Sequence, residues 1–599
     1  MASSPATPTL ESPSPNAGTP QPDSASPGIA GAIRWATPLS GDEERRDTDF
    51  GPHFGHLRYR HISDVLDETE GEAVREQMER CLLSAEEPRT VSEALDDTAW
   101  KAAMDDELKC IGDNQTWEMT TLPQGHKAIG LKWVYKVKRD PEGNIVRHKA
   151  RLVAKGYAQR EGVDFEEVFA PVARMETVRL LLALAAHSRW EVHHMDVKSA
   201  FLNGELAEEV YVCQPPGYVT VGQEAAVLKL RKALYGLRQA PRAWYSKLDD
   251  TLMNLGFTRS SLEHAVYRRG DKESYLLVGV YVDDLIITGT HVASIKEFKA
   301  QMQQLFKMSD LGLLSYYLGI EVKQEKGGIT LCQQSYASKI LEEAGMEGYN
   351  SCHSPMECRL KLRKEDGSKP FDATLYRSVI GSLRYLVHTR PDITHSVGIV
   401  SRFMESPSID HWTAVKQILR YVQGTKHYGC HYRAGIGDAT LLGYSDSDHG
   451  GDIGDRKSTS GQVFFLGENP VSWSSQKQKV VAISSCEAEY VAAAGATCQG
   501  IWLSRLLAEM RGEEPASFRL LVDNKSAIAL AKNPVHHDRS KHIDIKFHFI
   551  RDCVQERIVE IEHIGTQNQV ADILTKAVGK VRFIELRQKL AIMEGSKKA

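Results

Sequence analysis

Two adjacent aspartates, Asp283 and Asp284, lie between the apolar runs Tyr275-Leu-Leu-Val-Gly-Val-Tyr-Val282 and Leu285-Ile-Ile-Thr288. Two β-type runs around a short polar break predict a hairpin whose tight turn is made of the carboxylates. Flanks this hydrophobic are buried strands, so the turn is held rigidly and two negative charges are forced together. That arrangement is repulsive unless a cation lies between them. Aspartate also favours turns in its own right, so the pair reads as a metal site only with partners elsewhere in the chain.

Such a partner lies upstream. Trp190-Glu-Val-His-His-Met195 alternates as a strand and ends in Asp196, 87 residues before Asp283. One carboxylate at a strand end and two in a hairpin turn can meet on adjacent strands of one antiparallel sheet. A trio of this kind suits two-metal phosphoryl transfer, in which ions about 3.5–4 Å apart activate the attacking oxygen and stabilise the leaving one.

A second set of acids begins at Leu441-Leu-Gly-Tyr-Ser-Asp446, a strand ending in a carboxylate. Two further strand-like runs, Gln462-Val-Phe-Phe-Leu466 and Val471-Ser-Trp473, precede a helix over 485–509 that carries Glu489 near its start. The strand Phe518-Arg-Leu-Leu-Val522 delivers Asp523, and a late helix, after a strand over 558–564, carries Asp572. Three antiparallel strands followed by a helix predict an α/β layer fold. Asp448 stays open as an alternative to Asp446.

Composition bounds the rest. With 42% apolar and 26% charged residues, a chain of 599 residues is ordinary globular protein with room for several domains. It has no run of 18 apolar residues and no secretory signal, so an intracellular protein without membrane partners is expected. The ten cysteines contain no Cys-x-x-Cys pair, which argues for reduced thiols over disulfides or structural zinc. The net charge of −5 does not suggest a nucleic-acid binder, but basic residues are concentrated locally. Leu131 to Lys155 has eight Lys/Arg against two acids, and Leu228 to Leu248 has six and none, so both could meet a polyanion. The first thirty residues hold seven Pro and six Ser, and the stretch to residue 88 is expected to be a disordered linker. Beyond it are predicted a helix from Ser92 to Leu108, strands at Trp133–Val137 and Arg151–Ala154 joined by the turn Asp140–Asn144, and a helical region from Ser351 to about Tyr432.

The chain strongly resembles the reverse transcriptases of copia-type long-terminal-repeat retrotransposons, from about Ser92 to Leu590. The resemblance rests on Leu131-Lys-Trp-Val-Tyr-Lys-Val-Lys138, Lys149-Ala-Arg-Leu-Val-Ala-Lys-Gly156, Met195-Asp-Val-Lys-Ser-Ala-Phe-Leu-Asn-Gly204, Ala233-Leu-Tyr-Gly-Leu-Arg-Gln-Ala-Pro-Arg-Ala-Trp-Tyr245 and Tyr281-Val-Asp-Asp-Leu285, in the expected order. It implies a multidomain α/β fold: a right-hand polymerase followed by a ribonuclease H-like domain. The implied layout is a linker over 1–88, fingers and palm over 89–325, a helical thumb/connection over 326–438, ribonuclease H over 439–580 and a tail over 581–599.

The resemblance also implies roles. Asp196, Asp283 and Asp284 would hold the polymerase metals, Asp284 less directly, with the Val197 carbonyl as a further ligand. Lys149 and Arg151 would clamp the incoming triphosphate. Gly236 and Arg238 would let backbone approach the template and new base pair, with Gln239 and Arg242 as further nucleic-acid contacts. Phe201 would close the sugar pocket against a 2′-hydroxyl. In the ribonuclease part, Asp446, Glu489, Asp523 and Asp572 would bind two Mg²⁺, and His563 would help product leave. Glu489-Tyr-Val-Ala492 fits the family pattern in register, which excludes Glu487. Ser540-Lys-His-Ile-Asp544 is a further hallmark, expected at a helix start that contacts substrate.

The function implied is RNA- and DNA-directed DNA synthesis with ribonuclease H activity, with two Mg²⁺ per site and Mn²⁺ as substitute. Expected partners are an RNA template, an RNA–DNA hybrid, a tRNA-like primer, deoxynucleoside triphosphates, and integrase or capsid proteins of the same element, in a cytoplasmic virus-like particle or the nucleus. Ahead of Ser92 stands no zinc knuckle, protease motif or integrase core. That pattern is expected of a truncated open reading frame and sustains an alternative: a catalytically silent or repurposed relic that only binds nucleic acid.

Overall fold

The computed structural model describes residues 87–139, 144–435, 439–532 and 544–595, without the side chains of 139 and 544–547. All of these belong to one compact unit. The expected linker up to Pro88, the turn after Arg139 and the Ser540–Asp544 hallmark lie wholly or almost wholly outside them.

The helix expected from Ser92 is two helices, Val91–Asp96 and α1 (Thr98–Asp113). Asp97 makes the break, because its carboxylate accepts from the N–H groups of Ala99 and Trp100 and so starts a new helix. Trp100, Met104 and Ile111 of α1 bury one face against the hairpin β1 (Leu131–Arg139) and β2 (Ile145–Ala154), which carries the first basic cluster.

Next in the chain come α2 (Met175–Ser188), β3 (Val192–Val197), α3 (Ala240–Asn254), β4 (Tyr275–Tyr281), β5 (Asp284–Gly289), α4 (Val292–Leu305) and β6 (Met308–Leu313). The strands form a six-stranded sheet in the order β6-β3-β5-β4, completed by Val266–Gly270 and Thr258–Arg259. Alternation sends Leu276, Val278, Val280, Leu285 and Ile287 to one face, against Trp244 and Leu248 of α3 and Phe298 and Met302 of α4. Leu277 and Ile286 join the cluster containing α2 on the other face. Covered on both sides, these strands have the unbroken apolar sequence from which burial was predicted.

Beyond residue 313 the fold departs from the expected layout. The strand Ile320–Glu325 pairs with β7 (Gly328–Cys332), Glu325 opposite Gly328, so a boundary at 325 cuts a hairpin. β7 pairs with β8 (Tyr428–Arg433), and the region between contains the helices Ala373–Leu386 and Ile409–Gly424. The expected tail over 581–599 is, where described, structured. A helix over Lys580–Lys589 leads into a strand over Ile592–Glu594 that returns to β8. Phe583, Leu586, Leu590 and Ile592 are buried there, and burial of this kind holds down a chain end that polar composition alone would leave loose.

The last sheet has the order Asn469–Lys477, Thr459–Leu466, Leu441–Ser447, Phe518–Val522, Val559–His563. In chain order these are β9 (Leu441–Ser447), β10 (Thr459–Leu466), β11 (Asn469–Lys477), β12 (Phe518–Val522) and β13 (Val559–His563). The first three pair antiparallel and the last two join in parallel, as expected for three strands followed by crossover units. The helix α5 (Ser485–Arg511) crosses this sheet, and a Cβ at Gly500 would come within 2.2 Å of the Phe518 ring. Among the described residues no helix is long and apolar enough to cross a membrane.

Candidate active sites

Asp284 stands directly opposite Asp196 across β5 and β3, and opposite Tyr281 across β5 and β4. The turn is therefore Val282–Asp283, one residue earlier than predicted, and Asp284 opens the strand. Val282 takes a left-handed φ of 57°, unusual for a β-branched residue. The Trp244 indole N–H donates to the Val282 carbonyl at 2.6 Å, and the Val197 N–H donates to the Asp283 carbonyl at 2.9 Å. Backbone strain persists only where surroundings over-determine it, as these two anchors do.

The Asp283 carboxyl is pushed above its usual range by burial, then by the charge of Asp284, with Asp196 adding to it and Lys149 opposing. Asp284 Oδ1 lies 2.8 Å from His194 Nε2, a diagonal pair on one face of the sheet. Asp196 is paired with Lys198. Sequence reasoning missed both partners, although His194 and Lys198 each stand two residues from Asp196 and so share its face.

Around these acids, Lys149 is half-buried, and burial together with Arg151 and Lys138 lowers its pKa while Glu107 and Asp196 oppose. Arg151 is committed to the buried Glu107 at 3.0 Å and lies over the Tyr235 ring at 4.6 Å. The Phe201 ring, half-buried in the turn after β3, stands 4.8 Å from the same Tyr235. Gly236 has φ +89°, and a Cβ there would meet the Ala154 carbonyl at 2.2 Å. The close backbone approach that Gly236 permits is thus to the end of β2. Arg238 donates to the Gly156 carbonyl, and Arg242 pairs with Glu167 at 2.7 Å. Gln239 is not placed to touch nucleic acid: it is 2% exposed, and its amide is bonded to Gln159 and the Asp164 carbonyl. These three side chains fasten the loop after β2 to the start of α3.

The second centre is more tightly drawn. Asp446 at the end of β9, Glu489 in the second turn of α5 and Asp523 after β12 bring one oxygen each within 4.8 Å of one another, the one such cluster among the described residues. Parallel pairing of β9 with β12 sets two of the acids side by side, Ser445 opposite Val522. Burial pushes the Asp446 carboxyl up to about 6 and, with the charges of Asp446 and Asp523, that of Glu489 up to about 9. Glu489 Oε2 is buried without a hydrogen-bond partner. An orphaned oxygen among mutually repelling carboxylates fits a divalent cation.

Asp572 opens α6 (Asp572–Thr575) and is joined to Asp446 through Lys576, which sequence reasoning missed despite its i+4 spacing from Asp572. Asp448 is turned away to accept from the Thr459 N–H at 2.5 Å, which leaves Asp446 in the cluster. Glu487 accepts from the Ile483 N–H at the start of α5. His563 is exposed at the end of β13, level with Val522.

Comparison with known proteins agrees with this arrangement. Residues 114–358 match the family described as reverse transcriptase (RNA-dependent DNA polymerase). The retrovirus-related Pol polyprotein from transposon RE1 of Arabidopsis thaliana is 40% identical over 514 residues, covering 85% of this chain and 35% of the polyprotein. This chain therefore spans about a third of that relative. A transposon Ty5-1 protein of Saccharomyces cerevisiae is 36% identical over 303 residues, 50% of this chain and 98% of that protein. A solved structure of foamy viral protease-reverse transcriptase in complex with double-stranded DNA aligns with a TM-score of 0.44 at 11% identity, covering 78% of this chain and 70% of that one. On the sequence relatives, the chain belongs to the reverse transcriptase family of copia-type retrotransposon Pol proteins.

Proposed function

We propose that the chain is an RNA- and DNA-directed DNA polymerase with ribonuclease H activity that copies retrotransposon RNA into cDNA. The observation that carries this reading is the presence of two acid centres on two different sheets, each built from strand ends. In the first, Asp196 and Asp283 hold Mg²⁺, or Mn²⁺ in its place, with Asp284 braced by His194 behind them. The bound ions supply Lewis-acid activation of the attacking oxygen and charge neutralisation at the leaving one. Lys149 faces the triphosphate of the incoming nucleotide, while Arg151, held by Glu107, supports Tyr235 and through it the Phe201 ring. The primer 3′-hydroxyl attacks the α-phosphorus and pyrophosphate leaves. In the second centre, Asp446, Glu489, Asp523 and Asp572 hold the ions that serve hydrolysis of the RNA strand of a hybrid, and His563 assists release of the cut end. On this reading the six-stranded sheet is the palm, the β1–β2 hairpin the fingers and the region over 326–438 the connection.

The alternative of a silent nucleic-acid binder is favoured by one observation: Asp196 and Asp284 are engaged by Lys198 and His194 and are not gathered into a ligand cluster. Primer extension on an RNA template by the purified full chain, with and without Mg²⁺, tests the two readings. DNA product that depends on the cation supports the polymerase. Tight hybrid binding with no product supports the relic.

A further inference from the structure

The two halves of the second acid centre are compensated differently. On one side, Lys576 Nζ lies 2.6 Å from Asp572 Oδ1 and 3.7 Å from Asp446 Oδ2. Arg582 approaches the other Asp572 oxygen at 3.6 Å and also donates to the Thr566 and Gln569 carbonyls, which fixes it in place. On the other side, no Lys or Arg within 4.0 Å pairs with Glu489 or Asp523 among the described residues, and Glu489 Oε2 has no hydrogen-bond partner. One half of the cluster is thus neutralised by a cation belonging to the chain, and the other half has none.

Resting on the ribonuclease H reading above, we propose that Lys576 is a tethered counter-cation between Asp446 and Asp572: without nucleic acid the centre takes up one divalent ion, on Asp446, Glu489 and Asp523, and a second is admitted only when a bound hybrid draws the lysine away. The geometry allows the exchange. The Lys576 side chain is 44% exposed, so its ammonium can leave along a flexible four-carbon stem, unlike the bracketed Arg582. An ammonium leaving two carboxylates needs another anion, and a nucleic-acid backbone beside the site provides one. Two cations cannot share the space between Asp446 and Asp572 without strong repulsion at such distances. Lys576 is therefore a positioning residue that ties loading of the second ion to arrival of substrate.

The test counts ions in the full chain carrying Asp196→Asn and Asp283→Asn, so that only the second centre binds. Mn²⁺ is titrated by electron paramagnetic resonance of the free ion, with and without a hybrid whose RNA strand is 2′-O-methylated against cleavage. One ion is expected without the hybrid and two with it. Lys576→Met should bind two ions without the hybrid, the second at least roughly tenfold tighter than in its parent, and Lys576→Arg should stay at one. Two ions in the parent without hybrid, or one in Lys576→Met, would overturn the proposal while leaving the ribonuclease reading intact. No ion in any variant, with no Mg²⁺-dependent hybrid cleavage by the unmodified chain, would overturn that reading as well.

Discussion

The Arg179 guanidinium of α2 lies 3.9 Å from the centroid of the Trp473 ring of β11. The same group donates to the Val471 carbonyl at 2.9 Å and the His388 carbonyl at 3.1 Å, and pairs with Glu176 at 3.2 Å. Arg179 is 1% exposed. A single buried charge thus joins the helix behind the six-stranded sheet, the intervening region and the last sheet. Arg179→Met would leave two buried carbonyls unpaired and remove the contact with Trp473, a loss of about 3 kcal/mol. Hydrogen exchange should rise together over Met175–Ser188 and Asn469–Lys477, while α1 and the β1–β2 hairpin stay unchanged. Protection in β11 equal to that of the unmodified chain would show that Arg179 does not join the two sheets.

The polymerase acids give the second prediction. Asp283→Asn or Asp196→Asn should reduce primer extension by several orders of magnitude, since each is asked to hold metal in the transition state. Hybrid affinity, which rests on the basic segments, should change little and should fall steeply with added salt for both proteins. Extension near the unmodified rate would remove these residues from the site.

The two centres should also be separable. Asp523 lies after β12 in the last sheet, away from β3 and β5. Asp523→Asn should stop cleavage of the RNA strand and leave first-strand synthesis intact. Loss of synthesis by a folded Asp523→Asn protein would contradict the division. Asp446→Asn should match Asp523→Asn, whereas Asp448→Asn should retain cleavage, because Asp448 serves only the Thr459 N–H.

The second centre predicts a pH dependence. The Glu489 carboxyl is raised to about 9 and that of Asp446 to about 6, chiefly by burial. A carboxyl whose folded pKa is raised contributes stability that is fully present below its unfolded value and lost as pH rises through the folded one. The metal-free protein should therefore weaken between about pH 5 and pH 9 at this site, and a divalent ion, which needs the carboxylates ionised, should relieve the weakening. The rise in Tm on adding Mg²⁺ should grow from pH 6 to pH 9, and Glu489→Gln should flatten it. A rise that does not vary with pH in the unmodified chain would argue against proton release from Glu489.

What the sequence made legible follows from the range of the forces involved. The acids at strand ends were readable because period-two patterning locates strands and their ends. Asp446, Glu489 and Asp523 duly converge, although they lie far apart in the chain. Their neighbours were harder to read. Gln239 stands in a basic motif, yet its amide is consumed by Gln159 and the Asp164 carbonyl, because tertiary packing and not local composition decides where a polar side chain turns. The turn was misplaced by one residue because Val282, a poor left-handed residue, is held there by Trp244 from a helix that no local pattern connects to it. The strand over Ile592–Glu594 pairs with β8 across more than 150 residues, a separation at which short alternating runs carry no information about partners.

The last prediction concerns Phe201, whose ring stands 4.8 Å from that of Tyr235, itself covered by Arg151 at 4.6 Å. Arg151 is anchored in turn by the buried Glu107. The ring is therefore held from behind by a chain of fixed groups, and a packed site of this kind cannot swell to admit an extra oxygen. If the sugar of the incoming nucleotide rests on Phe201, a 2′-hydroxyl collides with it. Phe201→Val removes the ring while keeping an apolar surface. The variant should keep much of its deoxynucleotide incorporation and gain ribonucleotide incorporation at least roughly tenfold, about 1.4 kcal/mol of lost discrimination. The measurement is the ratio of kcat/KM for a ribonucleotide and its deoxy counterpart on one template. Removing support from behind should act in the same direction but less, so Tyr235→Leu is expected to shift the ratio by a smaller factor. An unchanged ratio in Phe201→Val would make the ring a packing element beside Tyr235 and leave the sugar pocket to be closed by another side chain.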